Sequence, residues 1–298
     1  MTEAQAGIVP EWPGPGGQRF RLAPGRATIL MGVINLTPDS FFDGGRYPTA
    51  DSAIARGLAL AAAGADIIDL GGESSRPGSE PVTVAEELRR VIPVIEGLAG
   101  RLSIPISIDT WKAEVAARAL QAGAGIVNDI SALRLDPGLA PVVAASPGPY
   151  VLMHMLGTPR DMQRRPVYRD VVGEIKAFFR ERIAFAAGAG IDPERVVIDP
   201  GIGFGKTVEH NLEILNRLGE FRQLGRPILV GVSRKSFIGA ILDRGPGDRL
   251  WGTAGAVAAA VGRGADIVRV HDVGPLKEMI AVIEAIRSAP AGTKNGEF

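Results

Sequence analysis

A chain of 298 residues with 46% hydrophobic and 22% charged residues has ordinary globular composition, which excludes a disordered chain. Its 33 Lys and Arg balance its 33 Asp and Glu, so a polyanion-binding surface is disfavoured while a local basic pocket is not. The absence of cysteine excludes a disulfide framework, thiolate metal sites and a thiol nucleophile.

The stretch before Arg26 is rich in Pro and Gly and has no apolar h-region, so it reads as an extension and not as a signal peptide. Apolar runs such as 254–261 fall far short of the ~18 residues a membrane span needs. The expectation is a soluble, cytoplasmic protein with an N-terminal extension at 1–26, one domain at 27–288 and a C-terminal tail at 289–298. From Ala27 onward a short β-branched run ending in polar residues alternates with an Ala/Leu-rich helical segment. The first strand is expected at 29–35. Asp51 is placed to cap a helix over 52–63, which Gly64 ends. A strand at 67–71 follows, then a capping box of Thr83 and Glu86 before a helix through 88–98. Three more strands are expected at 106–109, 126–130 and 151–155. A helix holding 175–187 ends at Gly188 and Gly190. A strand at 196–199 leads to a helix capped by Thr207 and running through Leu218. Strands at 228–232 and 267–271 complete the set, and Gly274-Pro275 opens the last helix.

The strands are short and nearly continuously apolar, as strands buried on both faces are. Eight such units predict an α/β chain closed into a single-domain (β/α)8 TIM barrel. An open doubly wound sheet shares the alternation, but no G-x-G-x-x-G follows the first strand. An internal repeat supports the barrel. Gly64-Ala65-Asp66-Ile67-Ile68-Asp69 resembles Gly264-Ala265-Asp266-Ile267-Val268-Arg269, with Gly123-Ala124-Gly125-Ile126-Val127-Asn128 as a looser copy. The shared register puts Asp69, Asn128 and Arg269 at equivalent depths in three strands.

Barrel active sites lie at the carboxyl ends of the strands. There the sequence places Asn35, Asp69, Asp109, Asn128, Asp199, Lys235, Arg269 and His271. A preference of Asp and Asn for turns explains any one of them. It does not explain Arg269 and His271, which alternation aims at one face of the same strand. Asp69, Asp109, Asn128 and Asp199 supply acceptors suited to a planar heterocycle carrying N–H groups. Lys235, Arg269, His271 and Arg76 supply donors suited to a phosphate or diphosphate. Met153, Met155 and Phe204 can wall a flat ring. His154 points away from both methionines and reads as structural, and His210, on a helix, is expected to be solvated. The segment 199–207 invites a Walker A reading, but Pro200 occupies the position where that motif requires Gly.

These residues fall into motifs that resemble the dihydropteroate synthase family. Met31-Gly32-Val33-Ile34-Asn35-Leu36-Thr37-Pro38-Asp39-Ser40-Phe41 is similar to its first signature, and Gly71-Gly72-Glu73-Ser74-Ser75-Arg76-Pro77-Gly78 to its second. Ile108-Asp109-Thr110, Asn128-Asp129, Met153-His154-Met155, Asp199-Pro200-Gly201, Ser233-Arg234-Lys235-Ser236 and Arg269-Val270-His271-Asp272 follow in family order. The resemblance implies a transferase of folate biosynthesis. Its reaction joins (7,8-dihydropterin-6-yl)methyl diphosphate to 4-aminobenzoate, with Mg2+ as cofactor, and the enzyme is commonly a homodimer through its last helices. By the same resemblance Asp109, Asn128, Asp199 and Lys235 hold the pterin, and Asn35 ligates Mg2+. Ser75, Arg269 and His271 bind the diphosphate. Arg76, Pro77, Phe41, Phe204 and Ser236 frame the aminobenzoate, and Asp43 faces the reacting methylene. The loops at 37–48 and 74–80 are expected to close over the diphosphate. Phe42 and Ser75 depart from the family pattern. They are the ground for one alternative, a pterin-binding relative without activity. Another is a methyltetrahydrofolate-dependent methyltransferase, which has no need of the 74–78 loop or the 233–236 stretch.

Overall fold

In the computed structural model, residues 27–37 and 49–289 are described in full, and 11–13 and 19–21 by their backbone. Strands β1 (Glu11–Pro13) and β2 (Arg19–Arg21) form a small antiparallel pair within the stretch read as an extension. The barrel strands are β3 (Ile29–Asn35), β4 (Ile67–Gly71), β5 (Ile106–Asp109), β6 (Ile126–Asp129), β7 (Tyr150–Met153), β8 (Val196–Asp199), β9 (Leu229–Val230) and β10 (Ile267–Val270). They pair in parallel in chain order, and β10 returns to lie between β3 and β9. A parallel bridge between Ile198 and Ile228 closes the ring, with the Ile198 amide donating to the Pro227 carbonyl at 2.9 Å. The expected single-domain (β/α)8 barrel is what forms.

Between the strands run α1 (Ala50–Ala62), α2 (Val84–Ala99), α3 (Ala113–Ala122), α4 (Leu139–Ala145), α5 (Val171–Gly188), α6 (Val208–Asn216), α7 (Ser236–Leu242) and α8 (Leu250–Gly262), and α9 (Val273–Ser288) ends the series. Three local expectations change. Thr49, not Asp51, caps α1, accepting from the Ser52 amide at 3.2 Å, so Asp51 falls in the first turn. Thr83 caps α2 through the Glu86 amide, but the Glu86 carboxylate is taken by Arg89 and Arg90, so only half of the box forms. His210 is not merely solvated. Its Nδ1 accepts from the Thr207 amide while Thr207 Oγ1 accepts from the His210 amide, a reciprocal capping box at 3.2 Å each way.

Strand ends also move for physical reasons. β9 is shorter than 228–232 because the Ile228 amide donates to Asp266 Oδ2 at 2.9 Å, which leaves Ile228 only its single bridge to Ile198, and the chain turns at Val232 to Lys235. β6 stops at Asp129 because its carboxylate captures the Ser131 and Leu133 amides at 2.7 and 2.6 Å. β10 stops at Val270, since the His271 amide donates to Ser233 Oγ.

Met31, Ile67, Ile126, Val151, Val197, Leu229 and Ile267, one from each of seven strands, meet in a buried cluster of their own. The alternate residues, such as Leu30, Ile68, Ile108, Leu152 and Val268, pack with the helices in the main core. Strand periodicity therefore sends the next residues on the inner face, Asp69, Asn128, Asp199 and Arg269, to the carboxyl-end mouth. The repeat serves both ends of the barrel. Asp66 Oδ2 accepts from the Leu30 amide and Asp266 Oδ2 from the Ile228 amide, each at 2.9 Å, pinning the start of a neighbouring strand. Gly64 and Gly264 turn the chain there with φ of +97° and +100°, a region costly for any side chain.

Candidate active site

Asp69, Asn128 and Arg269 not only share a depth but bond to one another. Arg269 Nε donates to Asp69 Oδ2 at 2.6 Å and Nη2 to Asp109 Oδ2 at 2.8 Å, and Asn128 Nδ2 donates to Asp69 Oδ2 at 3.3 Å. Asp69 is fully buried, and its Oδ1 has no hydrogen-bond partner. A buried acceptor without a donor is costly unless a ligand supplies one. Burial pushes the Asp109 carboxyl up to about 7, against the pull of Arg269. The acceptor and donor halves expected from the sequence are thus joined through one guanidinium.

Asp199 and Lys235 stand further round the mouth. Burial raises the Asp199 carboxyl, while Lys235 and the Gly201 amide, which donates to Oδ1 at 2.7 Å, act to lower it. Burial likewise brings the Lys235 ammonium down to about 8, with Asp199 opposing. Lys235 donates to the Ile202 carbonyl and lies 4.6 Å from the centre of the Phe204 ring. Ile130, Met153, Met155 and Met162 form a small cluster with Trp111 and Phe204 packed against it, an apolar wall beside the acceptors. The loop carrying Phe204 depends on Gly201, Gly203 and Gly205, with φ of +67°, +84° and +65°. A Cβ at Gly201 would sit 1.9 Å from the His154 carbonyl oxygen.

His271 lies beside Ser233. Its amide donates to Ser233 Oγ at 3.2 Å, which leaves the hydroxyl proton for His271 Nδ1 at 3.0 Å and Nε2–H free to donate. Burial first, then Arg269 and Arg234, bring the imidazole down to about 4, so it is neutral at ordinary pH. Arg76 is exposed on the loop after β4 and is close enough to bear on the His271 charge, with Ser75 half-buried and Pro77 exposed beside it. Glu73 anchors that loop, accepting from Lys112 Nζ at 2.5 Å, Trp111 Nε1 at 3.1 Å and the Val82 amide at 3.0 Å. Lys112 also bonds the buried Glu87 at 2.5 Å. Ser236 opens α7 next to Lys235, and Asn35 ends β3. Phe41, Phe42, Asp43 and most of the 37–48 loop lie outside the described residues.

Asp69, Asp109, Asn128 and Arg269 are in mutual contact, Lys235 and Phe204 lie together, and His271 sits beside Ser233. Ser233 and Glu73 were missed as site residues. Alternation from Leu229 through Gly231 would have marked Ser233 as inward, whereas nothing local marks Glu73 as an anchor. Among the described residues no group of three or more His, Cys, Asp or Glu is placed to hold a metal ion. No helix among them is long and apolar enough to cross a membrane.

A closed barrel whose mouth joins acceptors, cations and a flat apolar wall defines an enzyme acting on a nitrogen-rich ring with an anionic tail. The comparisons agree. Residues 31–271 match the family of pterin binding enzymes. A dihydropteroate synthase of Synechocystis is 48% identical over 263 residues, 88% of this chain and 91% of that protein. The dihydropteroate synthase of Xanthomonas albilineans, solved with 4-aminobenzoic acid, has a TM-score of 0.87 at 45% identity, covering 95% of this chain and 100% of the other. The same enzyme in complex with 7,8-dihydropteroate has a TM-score of 0.83 at 43% identity, covering 94% and 100%. The chain belongs to the pterin binding enzymes and, within them, to the dihydropteroate synthases.

Proposed function

We propose that this chain condenses (7,8-dihydropterin-6-yl)methyl diphosphate with 4-aminobenzoate, giving 7,8-dihydropteroate and diphosphate, in the cytoplasm. The observation that carries the reading is the unpartnered, buried Asp69 Oδ1 beside Asp109 and Asn128, a set of acceptors and an amide waiting for ring N–H groups. Asp109, Asn128, Asp199 and Lys235 bind the pterin, and Asp69 and Met153 complete its cradle. Arg269, the Nε2–H of His271 and Ser75 receive the diphosphate. Arg76, Pro77, Phe41, Phe204 and Ser236 frame the aromatic amine, and Asp43 faces the methylene.

The C–O bond to diphosphate breaks, and the methylene cation is stabilised by the electron-rich ring. The amine lone pair then forms the C–N bond, and its proton leaves to solvent or diphosphate. A neutral aromatic amine needs no strong base, which suits a mouth whose imidazole is neutral. Cations fixed where negative charge gathers favour departure. Asn35 suits Mg2+ that arrives with the substrate. A Cβ at Gly71 would lie 3.7 Å from both Asn35 Oδ1 and Asp109 Oδ2, so bare backbone leaves space between these oxygens. Mg2+ commonly keeps waters and phosphate oxygens and takes few protein ligands. Bound there it would offset charge on the leaving diphosphate.

The working form is a homodimer through α6 to α9. Leu212, Ile241 and Leu242 line a groove between α6, α7 and α8, and Trp251 is 83% exposed on α8. Exposed apolar surface of this kind supports an interface there. The test is purified protein with both substrates and Mg2+, read by chromatography of dihydropteroate. Absence of product overturns the proposal.

A further inference from the structure

Lys206 is 3% exposed, yet no carboxylate forms a salt bridge with it among the described residues. Its ammonium has three neutral acceptors instead: His154 Nδ1 at 3.0 Å, the Phe204 carbonyl at 2.9 Å and the His154 carbonyl at 3.5 Å. Three N–H groups meet three acceptors, which with Asp199 act against burial, the cause that pulls this ammonium well below its usual range. Asp199 bears on this charge only from beyond salt-bridge distance, so a buried ammonium held by neutral acceptors is an expensive way to fill space, and an apolar side chain of the same length would pack there more cheaply.

Its partners belong to two different loops. His154 lies between Met153 and Met155 after β7, and Phe204 belongs to the loop after β8. The two loops touch at Gly201, whose missing Cβ makes room for the His154 carbonyl. The other carbonyls of the second loop are also claimed by side chains. Gln163 Nε2 donates to Gly203 at 2.8 Å, Tyr168 Oη to Gly205 at 2.9 Å, and Lys235 to Ile202. Burial, with Lys206 and Arg134 nearby, holds the His154 imidazole well below its usual range. It is therefore neutral; facing a protonated Lys206, Nδ1 is the acceptor and the proton sits on Nε2, and the ring meets Phe178 edge-on at 4.8 Å.

We infer that Lys206 is a positioning residue: its ammonium, held by His154 Nδ1 and the Phe204 carbonyl, locks the two loops together and fixes the Phe204 wall on which the aromatic amine rests. The part concerning the amine rests on the proposed function, and the clamp itself does not.

Two measurements separate them. In Lys206→Met, which keeps length and bulk but loses all three donors, the KM for 4-aminobenzoate should rise about tenfold, the scale of one charge-assisted hydrogen bond. The kcat and the Kd for the dihydropterin diphosphate should stay within threefold. Equal weakening of both substrates, or no change in either, overturns the positioning role. In the unaltered protein, 15N NMR of the imidazoles should show His154 with a bare Nδ1, a protonated Nε2 and no titration between pH 5 and 8. A ring that titrates near pH 6.5, or that carries its proton on Nδ1, overturns the clamp whether or not the variant folds. An unaltered enzyme that makes no dihydropteroate while His154 shows this signature would remove the proposed function and leave the clamp standing.

Discussion

Replacing Arg269 by Met tests the centre of the site most directly. The side chain keeps its stem but loses the guanidinium that bonds Asp69 at 2.6 Å and Asp109 at 2.8 Å. Removing one partner from a buried pair costs about 3–5 kcal/mol. The Asp109 side chain is 14% exposed, so water screens part of that loss and the lower end is expected. The pH dependence has a definite sign. Burial puts the native Asp109 carboxyl at about 7, above its ordinary 3.8. Between those values the native state binds the extra proton, so Asp109 makes stability fall as pH rises. Without Arg269 the carboxyl moves higher still, and each further unit widens the gap between variant and parent by about 1.4 kcal/mol above neutral pH. Urea unfolding at pH 6 and pH 8.5 reads both quantities. A loss below about 1 kcal/mol, equal at the two pH values, would show that the guanidinium is not the counter-ion of these carboxylates. Binding adds a second test. A strict division into an acceptor half and a cation half expects the variant to spare bare pterin. The Arg269–Asp109 bond instead predicts that titration calorimetry will find both ligands weakened, the diphosphate-bearing one more.

Asp199→Ala should weaken pterin binding by about 1.5–3 kcal/mol for each charged hydrogen bond lost, and unchanged affinity in the same calorimetric assay would remove Asp199 from the site. Chelation of divalent cations should stop dihydropteroate formation while bare pterin affinity stays within about twofold, since the ion belongs with the diphosphate and not with the ring. The pH–rate profile should show no inflection from His271 near 6.5, because burial and Arg269 keep that imidazole neutral above about 4; an inflection near 6.5 present in the parent and lost in His271→Gln would refute this. Ile241→Glu with Trp251→Glu should convert a dimer to a monomer in light scattering at unchanged helix content, and a persistent dimer would place the interface elsewhere.

The sequence makes the barrel legible wherever burial on both faces leaves a short apolar run with a clear end. The bounds expected for β3, β4, β5 and β8 coincide with those observed. It is less informative where a side chain from another element decides the outcome. β9 is cut short by Asp266, 38 residues on from Ile228, and no local pattern carries that information. Helix starts behave likewise: Thr49 and Asp51 are both good caps, and it is Thr49 that has the extended backbone and accepts from the Ser52 amide.

The site follows the same division. Inward polar residues could be read from alternation, because a strand's period of two fixes which face each side chain takes before any partner is known. Which inward residues bond to one another depends on closure. Arg269 reaches Asp69 across 200 positions and Asp109 across 160, and the contacts exist only because β10 lies against β3 and completes the ring. The Lys112 link to Glu73 and Glu87 and the Lys206 link to His154 are of the same kind, with separations of 39, 25 and 52. Each buries a lysine, the residue type that composition alone assigns to the surface. A buried lysine leaves no periodic trace, since its neighbours on the chain are ordinary loop residues, and its role becomes visible only when the acceptors around it are located. The repeat at Gly64, Gly123 and Gly264 bridges the two levels. One phrase repeated on three strands sends Asp69, Asn128 and Arg269 to one depth, and at that depth the closing of the barrel turns equivalence of position into direct contact.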